Sequence, residues 1–231
     1  MAERGGSAIA RGGINGMVAT AARQHSHPAV ASDAPRSDIY ELLSIAFSFP
    51  DPSLHALAQD GRLAERLSAA LERLTYRVRV SDLRWRSPVR YDEMQSEYIR
   101  LFQIGGRRGP PCPLHAGHYA RDRSHELQHL IRFYNFFGFR VAEGVMPDHI
   151  SVQLEFMSAL ARGNTGDRGS LLRAQRDFLG RQLGWLQELA ARVQRRDPAP
   201  FYRSLAAFTV RHVAADRQFL RRALGGDHAR S

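Results

Sequence analysis

Asp148-His-Ile-Ser-Val-Gln-Leu-Glu-Phe-Met-Ser-Ala-Leu-Ala161 places Ile150, Leu154, Met157 and Ala161 three or four residues apart. That spacing is the 3.6-residue period of a helix with one apolar stripe. Pro147 in front of it cannot continue a helix from upstream. Asp148 stands where an N-cap carboxylate would accept the first free backbone N–H groups. The spacing therefore predicts a helix from about 148 to 161, closed by the polar stretch Arg162 to Ser170.

Outward from this segment the same period recurs, and strand signals are nearly absent. Ile39, Leu42, Leu43, Ala46 and Phe47 mark one helical face, which Pro50 and Pro52 terminate. A second run carries Leu63, Leu67, Ala70, Leu71 and Leu74, and a third spans about Tyr91 to Gln103. Three prolines and four glycines between Gly105 and Gly117 require a loop. A helix from about Asp122 to Phe137 stops at Gly138, a suitable C′ residue, and Gly144 to Pro147 is a second break. A long helix is expected through Leu171, Phe178, Leu186 and Leu189, ended by Pro198 and Pro200. Phe201 to Leu224 reads as one helix or a broken pair. The fold class is all-α, a single-domain helical bundle over residues 37–225. A disordered tail is expected at 1–36, with Met17 an alternative start, and a short tail at 226–231.

Composition narrows the partner classes. The 231 residues include 33 basic and 23 acidic side chains, for a formal charge of +10, and every basic residue is arginine. The arginines lie scattered beside Asp and Glu along helical stretches, as on a solvated helix surface, so no nucleic-acid partner is expected. One cysteine, Cys112, excludes an intramolecular disulfide framework and fits a reducing compartment. No apolar run approaches the roughly 20 residues that span a bilayer, and the N-terminal stretch lacks the apolar core of a secretory signal. The chain reads as cytoplasmic, without stable membrane insertion.

Two constellations carry possible chemistry. His125-Glu126-Leu127-Gln128-His129 matches H-E-x-x-H, which on a helix sets two imidazoles on one face with a glutamate as general base. A zinc-dependent hydrolase is therefore the alternative function. The extended pattern with a downstream Gly and His is missing, however, and nothing local selects His149 or Glu155 as third ligand. Cys112, His115 and His118 form C-x-x-H-x-x-H without an evident fourth ligand. There is no P-loop and no nucleophile elbow. The residues favour a binding protein over an enzyme, with no metal and no cofactor of its own.

Three segments in order point further. They are Tyr98-Ile-Arg-Leu-Phe102 leading into Gly109-Pro-Pro-Cys-Pro-Leu-His-Ala-Gly-His-Tyr119, Leu130-Ile-Arg-Phe-Tyr-Asn-Phe-Phe-Gly138, and Met146-Pro-Asp-His-Ile-Ser-Val-Gln-Leu-Glu-Phe-Met157. With Arg176-Asp-Phe-Leu179 they resemble the TorD/DmsD/NarJ family of molybdoenzyme-specific chaperones. The particular likeness is to the branch serving type II enzymes of the DMSO reductase family, such as the dimethylsulfide, ethylbenzene, chlorate and selenate enzymes. The resemblance spans about residues 38–190. The chain departs from it at Met146, where members often carry an acidic residue, and at Gln182, near a common histidine.

The resemblance implies a TorD-like helical bundle, monomeric or dimeric, that binds the catalytic subunit of a molybdoenzyme or its twin-arginine signal peptide. It also implies help with molybdenum cofactor insertion before export. By the same resemblance Pro147, Asp148 and His149 become the candidate partner contacts, with Tyr119, Arg132 and Glu155 beside them. A basic signal peptide would meet a basic chaperone, so affinity must come from an apolar groove and local carboxylates. Glu143, Asp148 and Glu155 are the candidates for that local field. Read without the resemblance, Asp148 is only a helix cap, and the Phe133–Phe137 aromatics are core.

Overall fold

The computed structural model describes residues 17–19, 33–80, 84–87, 89–105, 107, 109–163 and 167–227. The expected tail, apart from these short pieces, lies outside the described residues.

The bundle is built around one helix pair. α1 (Ala34–Ala46) lies along α6 (Ile150–Arg162), with Ile39, Leu43, Val152, Phe156 and Met157 fully buried between and around them. Serines permit the close approach. The Ser37 hydroxyl donates to the Ser158 carbonyl (3.0 Å), and the Ser44 hydroxyl to the Ser151 carbonyl (2.8 Å). Each satisfies a polar group that burial would otherwise leave costly.

Pro52 begins a helix rather than only ending one. α2 (Pro52–Gln59) has Pro52 in its first turn and the Asp51 carboxylate accepting from the Leu54 N–H at 2.7 Å, the pairing of cap and proline that helix starts favour. α3 (Arg62–Glu72) buries Leu63, Leu67 and Ala70 against α1. α4 (Tyr91–Tyr98) runs into a π-helical turn at Ile99–Gln103. α5 (Arg123–Phe136) is capped by Asp122 and stops before Gly138 at φ +75°.

A two-stranded antiparallel ribbon is the exception to the all-helical expectation. β1 (Met17–Ala19) pairs with β2 (Phe139–Val141), so part of the expected tail is paired.

The long helix expected through 171–189 is two. α7 (Arg168–Arg181) and α8 (Leu186–Arg195) are separated by a turn containing Gly184, a residue that weakens helices. α9 (Pro200–Asp227) is continuous and packs on both α7 and α8; it runs two residues into the expected 226–231 tail.

The domain boundary placed after residue 36 falls inside α1. Arg36 is 1% exposed and forks onto Asp216 of α9, with Nε to Oδ1 at 2.6 Å and Nη2 to Oδ2 at 3.0 Å. Tyr40 and Tyr76 donate to the same carboxylate at 2.7 and 2.8 Å, and Arg36 Nη2 also donates to Gln175. Burial opposes the charged form of Asp216, but Arg36 holds its carboxyl below the usual range. No described helix is long and apolar enough to cross a membrane.

Candidate functional site

The loop from Gly109 to Tyr119 folds back onto the start of α6. Backbone pairing joins them: the Ile150 N–H donates to the Leu114 carbonyl at 2.8 Å, and the Ala116 N–H to the Asp148 carbonyl at 2.9 Å. The loop's other end is tied to the π-helical turn through Cys112 N–H to the Leu101 carbonyl, 2.9 Å. Cys112 is fully buried, and burial pushes its thiol pKa up.

Asp148 makes the junction, and not as an exposed carboxylate or helix cap. Its side chain is fully buried. One carboxylate oxygen accepts from the Gly117 N–H at 3.1 Å, and the other lies 3.0 Å from His115 Nδ1. Burial works against the charge, yet these two partners outweigh it and hold the Asp148 pKa down. Gly117 permits the approach, since a Cβ there would fall 2.9 Å from Asp148 Oδ2 and 2.7 Å from Arg123 Cγ.

The N-cap of α6 is His149, one residue later than expected. Its Nδ1 accepts from the Ser151 N–H at 3.2 Å. Burial lowers the His149 pKa to about 4, so the ring is neutral at pH 7. Pro147 contributes its carbonyl, which accepts from the Tyr134 hydroxyl at 2.9 Å.

Beyond this junction lies a groove of about 550 Å3 lined by His118, Tyr119, Glu126, Trp185, Glu188 and Arg192, among others. Tyr119 stacks on Trp185, ring centroids 4.9 Å apart, and the Arg192 guanidinium sits 4.7 Å over the Tyr119 ring. Trp185 is fixed by donating to Gln153 Oε1, and Gln153 donates in turn to the Asp148 carbonyl. Asp148 thus anchors one wall of the groove through its side chain and the other through its backbone. Glu188 is engaged with Arg192 and Arg195 at 3.0 and 3.3 Å. Glu126 forms no salt bridge among the described residues, and partial burial raises its pKa.

The remaining candidates scatter. Arg132 is exposed on α5 and Glu155 half-buried on α6, while Glu143 is exposed at the Gly144 turn. Asp148 gives its charge to His115 and Gly117, so Glu143, Asp148 and Glu155 do not form the expected common field. The aromatic run is mostly core, with Tyr134 buried, but Phe136 is 82% exposed. The His125 and His129 rings lie 5.2 Å apart and tilted to one another, yet no group of three or more His, Cys, Asp or Glu is placed to hold a metal among the described residues. Trp185, Glu188 and Gln153 escaped sequence reading altogether. The signal available was that one of only two tryptophans follows a helix-weakening glycine.

Residues 59–191 match the family model of the nitrate reductase delta subunit. The chain is similar to the dimethyl sulfide dehydrogenase assembly chaperone protein of Rhodovulum sulfidophilum, 33% identical over 70% of each chain. It is 33% identical over 47% of its length to the selenate reductase assembly chaperone protein of Thauera selenatis. It is 31% identical over 54% of its length to the chlorate reductase assembly chaperone protein of Ideonella dechloratans. Those last two matches span 62% and 53% of the relatives' own lengths.

Proposed function

The chain belongs to the nitrate reductase delta subunit family, the TorD/DmsD/NarJ group of assembly chaperones, and on that basis we propose that it matures a DMSO reductase family molybdoenzyme. It works in the cytoplasm, holding the apo catalytic subunit or its twin-arginine signal peptide and assisting molybdenum cofactor insertion before export. The family consists of chaperones rather than catalysts, so the H-E-x-x-H segment has no hydrolytic role.

The observation that supports peptide binding is the groove floored by Tyr119 and Trp185 beside Glu126. Aromatic faces accept apolar and guanidinium groups alike. An incoming arginine would have to compete for Glu188, which already holds two. Glu126 has no arginine to displace, and its partial burial strengthens a new charge pair. Tyr119 and Glu126 are the central contacts in this reading, with His149, Pro147, Arg132 and Glu155 around them. Asp148 is a positioning residue.

The test is calorimetric titration of the partner's signal peptide into the full chain. Loss of one charge-assisted hydrogen bond is worth roughly 1.5–3 kcal/mol, so Glu126→Gln should weaken binding about ten- to a hundredfold. No binding to wild type would overturn the signal-peptide reading, and equal affinities would remove Glu126 from it.

A further inference from the structure

We propose a second ligand site, for a diphosphate group, between α7 and α9; it does not depend on the chaperone reading. Arg176 and Arg181 from α7 and Arg217 and Arg221 from α9 line a cavity of about 360 Å3, with Asp177 and Gly180. That volume suits a small ligand rather than a duplex or a protein surface.

The charges there are unbalanced. Asp177 is held by its neighbour Arg176 at 2.8 Å. Arg181, Arg217 and Arg221 form no salt bridge among the described residues. Four arginines against one aspartate leave a charge of +3 around one cavity. Arg217 is also seated rather than waving in solvent. Its Nε is buried without an acceptor, and its guanidinium lies so close to α7 that a Cβ on Gly180 would fall 2.9 Å from Nη2. Converging like charges and an orphaned buried N–H both cost stability, and an oxyanion in the cavity relieves both. Planar guanidiniums bind phosphate oxygens bidentately. A phosphate monoester brings about −1.5 to −2 charges and leaves roughly one arginine unmatched, whereas a diphosphate matches all three.

The experiment is titration of inorganic diphosphate into the full chain, with orthophosphate and a nucleoside diphosphate as parallel arms. Saturable diphosphate binding tighter than about 1 mM is expected, at least about tenfold weaker in Arg217→Met and in Gly180→Ala. Alanine favours the helix over glycine, so Gly180→Ala keeps the fold while pushing the Arg217 head aside. Arg217→Met should melt no lower than wild type without ligand, because it removes repulsion and the orphaned N–H. A nucleoside diphosphate binding as tightly as diphosphate identifies the diphosphate alone as the recognised group. Tighter binding adds a base contact to the same site. No saturable binding, binding unchanged in both variants, or orthophosphate binding as tightly as diphosphate would overturn the proposal.

Discussion

Asp148→Asn tests whether the carboxylate positions the groove or touches the partner. The asparagine has the same shape, and its one oxygen can serve either the Gly117 N–H or His115 Nδ1, but not both. With the oxygen on Gly117, the amide nitrogen faces the imidazole, which must then turn its unprotonated nitrogen inward. Two charge-assisted bonds, each worth roughly 1.5–3 kcal/mol, become neutral ones of about 0.5–1.5 kcal/mol. The expected loss is therefore about 2 kcal/mol of folding stability. Asp148→Ala removes both acceptors, leaves the buried Gly117 N–H unsatisfied and opens a void, for a loss of about 3–4 kcal/mol. Urea denaturation reads these losses as a lower midpoint at unchanged slope. Gly117→Ala attacks the same contact from the other side and should lower the midpoint too, since its Cβ would enter the contact shell of Asp148 Oδ2.

The reverse outcome is equally clear. If Asp148→Asn leaves the urea midpoint unchanged yet weakens signal-peptide binding ten- to a hundredfold, by roughly 1.5–3 kcal/mol, the carboxylate is an exposed contact. The buried junction would then be refuted.

Other perturbations follow from the same contacts. Burial lowers the pKa of His149 and of His212 from 6.5 to about 4. Both rings stay neutral on folding, so their stability is fully present above about pH 6.5 and falls as pH drops toward 4. Each contributes up to about 3 kcal/mol at about 1.4 kcal/mol per tenfold change in proton binding. Asp148 and Asp216, also lowered, add a further loss below about pH 4. Urea midpoints between about pH 7 and pH 4.5 should fall steadily, and His212→Phe should flatten part of the slope; a flat wild-type profile would contradict this. Arg36→Met leaves Asp216 charged and buried without a counter-ion and should cost about 3–5 kcal/mol by urea denaturation; a loss under about 1 kcal/mol would remove the ion pair from the core. Cys112 should resist thiol reagents in the folded chain, and Cys112→Ser should cost about 1–3 kcal/mol for burying a hydroxyl; rapid labelling would show the loop opens.

Much of the fold was legible because apolar period and burial agree at Ile39, Leu42, Leu43, Ala46 and Phe47 and at Leu63, Leu67 and Ala70. α6 goes beyond its expected stripe, since Val152, Gln153, Phe156 and Leu160 are buried along with Ile150, Leu154, Met157 and Ala161. The misses came where one residue serves two grammars. Pro52 ends a run in sequence, yet with Asp51 it also fits the first turn of α2, and only the tertiary path decides. The break between α7 and α8 left a weak trace in Gly184, because the apolar spacing continues in register across it. Arg36 carried no local sign of burial at all. Its partners Gln175 and Asp216 stand 139 and 180 residues away, and a charge at a helix start normally faces water.

The site was half legible for a related reason. Pro147-Asp148-His149 marks a helix start, and of its two polar residues only Asp148 is of a type that helix starts favour, which hid the cap at His149. A cap is satisfied by backbone three residues on, whereas Asp148 is satisfied 31 and 33 residues upstream, at Gly117 and His115. Once the Pro/Gly loop claims the aspartate, capping passes to His149, whose Nδ1 accepts from Ser151, and burial keeps that imidazole neutral enough to do so. The same claim engages the buried Asp148 carboxylate with Gly117 and His115 and leaves Glu126, inside a segment resembling a metal motif, as the groove's carboxylate without a salt bridge among the described residues. Motif and chemistry therefore part company here: the most characteristic triplet builds the site, and the residues that face the groove come mainly from the Pro/Gly loop, α5, the turn before α8 and α8 itself.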